Sequence, residues 1–242
     1  MRNGVYLEKS EKEYHMTQND ITQNVTAVRE KIAKGYAFHE KVYLVAAIKT
    51  QPGQAVNAAI AAGVDAVAEN KPQDFRDKNA LIDPCPRHFI GHLQTNKVKY
   101  LVGNVELFHS CDRDELAEEI AKQSLKKGVT SNVLIQINIG QESTKGGYAY
   151  ETGKEVFQRL SSVQGLQVKG FMAMLPDVSD ETYLRALTKK MRALFEWAKT
   201  QSSNVEYLSM GMSGDYMLCI EEGSNMIRLG STLFGARDYT AK

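Results

Sequence analysis

Lys49 stands directly after the apolar run Leu44-Val45-Ala46-Ala47-Ile48, at the end of a β-rich stretch over residues 43–49. An ammonium delivered to an apolar opening is desolvated, which lowers its pKa and makes the amine a Schiff-base former. A lysine there can equally snorkel to water where its strand ends. Near the C-terminus the sequence twice joins glycine to a hydroxyl, as Ser213-Gly214 in SMGMSGD and as Gly230-Ser231-Thr232 in MIRLGSTLFG. Accessible backbone N–H groups beside hydroxyl donors are phosphate-binding chemistry, with two ordinary turns as the plainer reading. Arg228 lies two residues before Gly230, so strand alternation puts Met226, Arg228 and Gly230 on one face and Ile227 and Leu229 on the other. An arginine pointing inward needs an acceptor. Asn70, closing AVAEN, can orient a ring substituent or cap a helix starting near Pro72. Met172, Met174, Met210 and Met212 alternate at strand period and are expected to fill an interior and line its pocket as soft contacts.

These residues need a frame that gathers strand ends. Thr17 and Asp20 have capping-box spacing, and Ile21, Val25, Val28 and Ile32 follow at helical intervals, which predicts a first helix over 17–34. Eight β-rich runs follow, over residues 43–49, 66–70, 88–91, 107–112, 132–139, 166–174, 206–212 and 226–235. Most are separated by helical stretches such as 114–127 and 183–199, and a serial β-α order implies parallel pairing. The expected fold is α/β, a single (β/α)8 TIM barrel with an extra N-terminal helix, since eight units in 242 residues fit a closed barrel better than a doubly wound sheet. Residues 17–242 form one domain in this reading, and residues 1–16 a polar extension. Barrels place reactive groups at the C-terminal ends of their strands, often with phosphate on the loops after strands 7 and 8, which is where these residues fall.

Thirty basic against twenty-nine acidic residues leave a net charge of +1, with no run of like charge to grip nucleic acid or anionic lipid. No apolar run approaches the ~20 residues that span a bilayer, and the N-terminus lacks the apolar stretch of a signal peptide, so a cytoplasmic place is expected. Three scattered cysteines without C-x-x-C read as reduced core thiols, and no metal is expected. His88, His92 and His109 read as core or loop histidines. Nucleotide-loop, dinucleotide, nucleophile-elbow and zinc-protease motifs do not occur.

From about Val42 to Tyr239 the chain resembles the pyridoxal phosphate homeostasis proteins, through LVAAIKTQP, AEN, HFIGHLQTNK, LIQINIGQESTKGG, GFMAM, LSMGMSGD and IRLGSTLFGARDY in that order. The resemblance implies a fold like the N-terminal barrel of alanine racemase. It implies that Lys49 holds pyridoxal 5'-phosphate as a Schiff base, that Arg228 faces the pyridine nitrogen, that Ser213, Gly230 and Ser231 contact the phosphate, and that Asn70 lies beside the cofactor. Gly214 and Met172 complete the expected site. The chain departs from the family pattern in having Lys71 after Asn70 where tyrosine is usual, Ile48 and Gln51 around Lys49-Thr50, and Ser231 where threonine is common.

An arginine at the ring nitrogen disfavours ring protonation and weakens the cofactor as an electron sink. Racemases sharing this barrel draw a second base from a following domain, whereas only ARDYTAK follows Gly235 here. The expectation is a cofactor-binding protein of intracellular supply, without robust catalysis, passing cofactor to apo-enzymes and existing as a monomer or weak dimer. The alternative is a single-domain racemase or lyase borrowing its base from a partner chain or from the loop Glu142-Ser143-Thr144-Lys145. A third reading, a barrel for a phosphorylated metabolite, leaves Lys49 idle.

Overall fold

The computed structural model describes residues 16–36, 38 and 41–235. The expected extension over residues 1–16 lies outside them except for Met16. Helix α1 (Gln18–Gly35) begins at Thr17, whose hydroxyl accepts from the Asp20 N–H while the Asp20 carboxylate accepts from the Thr17 N–H. Ile21, Val25, Val28 and Ile32 form its buried stripe, as their spacing predicts.

Eight parallel strands close into a barrel in the order β1-β2-β3-β4-β5-β6-β7-β8. They are β1 (Tyr43–Ala47), β2 (Ala66–Glu69), β3 (Arg87–Phe89), β4 (Leu107–Cys111), β5 (Ser131–Ile137), β6 (Leu166–Ala173), β7 (Tyr207–Ser209) and β8 (Met226–Leu229). Between them run α2 (Gly53–Ala61), α3 (Pro72–Lys78), α4 (Val98–Leu101), α5 (Asp114–Lys127), α6 (Gly153–Ser161), α7 (Glu181–Gln201) and α8 (Tyr216–Glu221), and α9 (Ser231–Phe234) follows the last strand. The expected barrel and extra helix are both present.

The strands are shorter than the apolar runs that announce them. β1 stops at Ala47, so Lys49 belongs to the turn beyond it rather than to the strand. β7 stops at Ser209 because Gly211 takes φ 104°, which ends the extended backbone. β8 stops at Leu229, where Gly230 turns the chain into α9.

Burial separates two layers. Val45, Ala66, Ala68, Leu107, Leu134, Met172 and Met226 pack inside the barrel. Ile227 and Leu229 pack outside with α1 and α2, which leaves Arg228 on the inner face as alternation requires. Met210 departs from expectation. It packs between barrel and helices with Met191 and Phe195, because Ser209 takes the inward position on β7, and Met212 is exposed.

Candidate functional site

The first and last strands are neighbours. Leu44 pairs with Ile227 and Ala46 with Leu229, so the turn carrying Lys49 and the turn at Gly230 leave the barrel side by side. A side chain built on Gly230 would sit 3.7 Å from the Ala47 carbonyl oxygen, in ordinary contact. Lys49 is half-buried, and Thr50 behind it takes φ 67°, a left-handed conformation that is strained for a β-branched residue.

The two glycine-hydroxyl turns are joined. The Thr232 N–H donates to Ser213 Oγ at 3.2 Å. That bond uses a lone pair of Ser213, so its own proton is available to an anion. The turn 212–215 is shaped by Asp215, whose carboxylate accepts from the Met212 N–H at 2.6 Å. A Cβ on Gly214 would meet nothing within 4 Å, and Ser231 is exposed at the first position of α9. Ser213, Gly214, Gly230 and Ser231 are therefore brought together at one rim, beside the turn of Lys49.

Arg228 is 5% exposed, and both terminal nitrogens of its guanidinium are hydrogen-bonded. One guanidinium nitrogen donates to the Ser209 carbonyl at 2.8 Å and to Ser209 Oγ at 2.6 Å, and the other to the Ala173 carbonyl at 3.2 Å. Burial pushes the guanidinium down to about 10, which leaves it charged at neutral pH. Ser209 passes the contact on to His109 Nδ1 at 3.0 Å, and His109 Nε2 meets His88 Nδ1 at 3.0 Å. Because Arg228 only donates, a consistent assignment has Ser209 donating to His109 and His109 donating to His88. Burial pushes His88 down to about 4, and burial followed by the charges of His88 and Arg228 holds His109 well below the ordinary range. Both rings are neutral at pH 7. The sequence marks these histidines as core, and they are, but their link to Arg228 joins β3, β4, β7 and β8 and leaves no trace in linear spacing.

Asn70 does not cap α3. Lys71 holds the N-cap position, with no side-chain cap bond, and the Asn70 amide oxygen is buried with no hydrogen-bond partner among the described residues. Gly91 presses against it, since a Cβ there would lie 2.0 Å from the Asn70 carbonyl oxygen. Met172 is 1% exposed, in the inner layer with Met226, one alternation below Arg228. Cys85, Cys111 and Cys219 are free thiols, and burial pushes all three up, Cys111 to about 12, so none is poised as a nucleophile. Among the described residues no group of three or more His, Cys, Asp or Glu could hold a metal, and no helix is long and apolar enough to cross a membrane.

Comparison with known proteins agrees with this frame. The family described as the alanine racemase N-terminal domain matches residues 17–238. A pyridoxal phosphate homeostasis protein of Aquifex aeolicus is 41% identical over 199 residues, covering 81% of this chain and 87% of that one. Another, of Escherichia coli K12, is 33% identical over 233 residues, covering 93% and 100%. PipY of Synechococcus elongatus, solved with PLP bound, superposes with a TM-score of 0.74 at 27% identity, covering 89% of this chain and 100% of that one. The chain thus belongs to the pyridoxal phosphate homeostasis protein family, on the barrel of the alanine racemase N-terminal domain.

Proposed function

We propose that the chain binds pyridoxal 5'-phosphate at the mouth of its barrel, joined to Lys49 as a Schiff base, and acts in homeostasis and supply of that cofactor rather than in robust catalysis. In this reading it serves cofactor-dependent apo-enzymes in the cytoplasm, as a monomer or weak dimer. The observation that carries it is the hydrogen bond tying the turns of Ser213 and Thr232 at the rim where β8 lies against the strand that presents Lys49. An amine and an anion cradle side by side are what a phosphorylated aldehyde requires. The residues also fit the ring. Arg228 would supply a buried cation for its nitrogen, Asn70 has a buried oxygen with no hydrogen-bond partner among the described residues, and Met172 would supply a buried soft contact. The names of the Aquifex aeolicus and Escherichia coli relatives and the PLP bound by PipY support the same ligand.

When bound, the cofactor supplies an aldehyde for amines and a conjugated ring that draws electrons. The protein decides how far that power is used. Arg228 stays charged, so it disfavours a proton on the ring nitrogen and damps electron withdrawal. Ser209, His109 and His88 keep Arg228 in place without adding charge.

Protein incubated with pyridoxal phosphate is expected to turn yellow, and borohydride to fix the pyridoxyl group on the peptide containing Lys49. A colourless protein, or label on a different lysine, overturns the reading. The match to the racemase domain favours catalysis as the second reading. Sustained deuterium exchange at the α-carbon of alanine, abolished by Lys49→Ala, would establish it.

The phosphate side has its own test. Charge-assisted hydrogen bonds are worth about 1.5–3 kcal/mol each. Ser231→Ala is therefore expected to weaken pyridoxal phosphate binding roughly tenfold, at about 1.4 kcal/mol per decade. Unphosphorylated pyridoxal should bind the variant as it binds the wild type. Equal losses for both ligands would show that Ser231 does not read the phosphate.

A further inference from the structure

Lys78 closes α3, nine residues after Glu69 and thirty after Ile48, yet its ammonium touches both. It donates to the Ile48 carbonyl at 2.7 Å and to Glu69 Oε1 at 2.5 Å. The pair is withdrawn from water, with side chains 16% and 3% exposed. Burial raises the Glu69 carboxyl and Lys78 counters it, so the partners depend on each other. Burying such a pair is weak support for stability, because desolvation offsets most of the attraction. Its placement points to another use.

Ile48 is the residue before Lys49. Its N–H donates to the Ala68 carbonyl at 2.9 Å, and its carbonyl accepts from the Gln51 N–H at 3.1 Å as well as from Lys78. The Ile48 carbonyl thus closes the turn that contains Lys49 and left-handed Thr50, and Lys78 ties that carbonyl to the end of β2. Strained backbone persists only where its surroundings over-determine it. Lys78 is one of those determinants, and Glu69 anchors it.

We propose that Lys78 is a positioning residue for Lys49: held by Glu69, it grips the Ile48 carbonyl and fixes the turn that aims the Lys49 amine at the cofactor's aldehyde. This rests on the reading of Lys49 given above and adds to it a requirement outside the ligand's own contacts. Lys78 itself touches neither phosphate turn.

The test uses two ligands with the same phosphate, pyridoxal 5'-phosphate and pyridoxine 5'-phosphate, the second carrying an alcohol that forms no Schiff base. Lys78→Met is the first variant. Glu69→Gln/Lys78→Met is the second, because it leaves no unpaired carboxylate buried. Misplacing a reacting group by about 1 Å costs up to about a hundredfold, so covalent capture of the aldehyde should slow roughly ten- to a hundredfold in both variants. Affinity for pyridoxine phosphate should stay within about twofold of wild type, a difference under about 0.5 kcal/mol. Equal loss for both ligands in the double variant would reduce Lys78 to a structural role, and unchanged capture would remove it altogether. Failure of the Schiff-base reading shows earlier and elsewhere: wild-type protein would bind both ligands alike, and Lys49→Ala would change neither.

Discussion

Acidification from pH 6.5 to about 4 is expected to remove at least about 3 kcal/mol of folding stability through the buried pair His88 and His109. In the unfolded chain a histidine takes up its proton near pH 6.5. Burial holds His88 neutral in the folded protein down to about 4. Between those limits the unfolded state binds a proton that the folded state refuses, so stability is complete above the unfolded value and falls as pH falls. Each pH unit is worth about 1.4 kcal/mol per proton. The figure of about 3 kcal/mol counts the proton of His88 alone, and His109, held lower still by its burial and by the charge a protonated His88 would carry, adds to the loss in the same direction. Urea midpoints measured across this range should show the slope, and His88→Gln/His109→Gln should flatten it. A slope that survives the double substitution would place its origin in carboxylates instead.

Gly91→Ala is expected to cost about 3 kcal/mol, the upper end of the range for overpacking, and to weaken ligand binding as well. The added Cβ would lie 2.0 Å from the Asn70 carbonyl oxygen and 2.7 Å from its carbonyl carbon and Cα, all backbone atoms without rotamers to yield. Retreat of Gly91 is opposed on another side, where Ser110 Oγ donates to its carbonyl at 2.5 Å. The strain therefore falls on Asn70 and on the end of β2. Gly214→Ala is the control. Its Cβ meets nothing within 4 Å, so its effect on stability should stay within about 0.5 kcal/mol. Urea denaturation compares the two, and similar midpoints would disprove the close approach at Gly91.

Local chemistry was the most legible part of this chain. The capping box and the spacing of Ile21, Val25, Val28 and Ile32 depend only on residues within one helix, so α1 could be read directly. Alternation likewise placed Arg228 inward and Ile227 and Leu229 outward. Strand ends are less legible, because apolar residues continue past the ends of β1 and β7, as Ile48 and Met210, where the strands themselves stop. Met210 was misplaced for a related reason: its side depends on Ser209 turning inward to meet His109 and Arg228, partners on other strands. The grip of Lys78 on Ile48 crosses three elements, and no linear period records it.

The seam between β1 and β8 also orders events during synthesis. Lys49 leaves the ribosome while Arg228, Gly230 and Ser231 are still untranslated, and the barrel cannot close until β8 has emerged to pair with β1. A nascent chain thus displays Lys49 before the turn of Gly230 and Ser231 exists beside it. On the reading proposed above, capture of the cofactor therefore waits for β8, and a product truncated before β8 is expected to hold none.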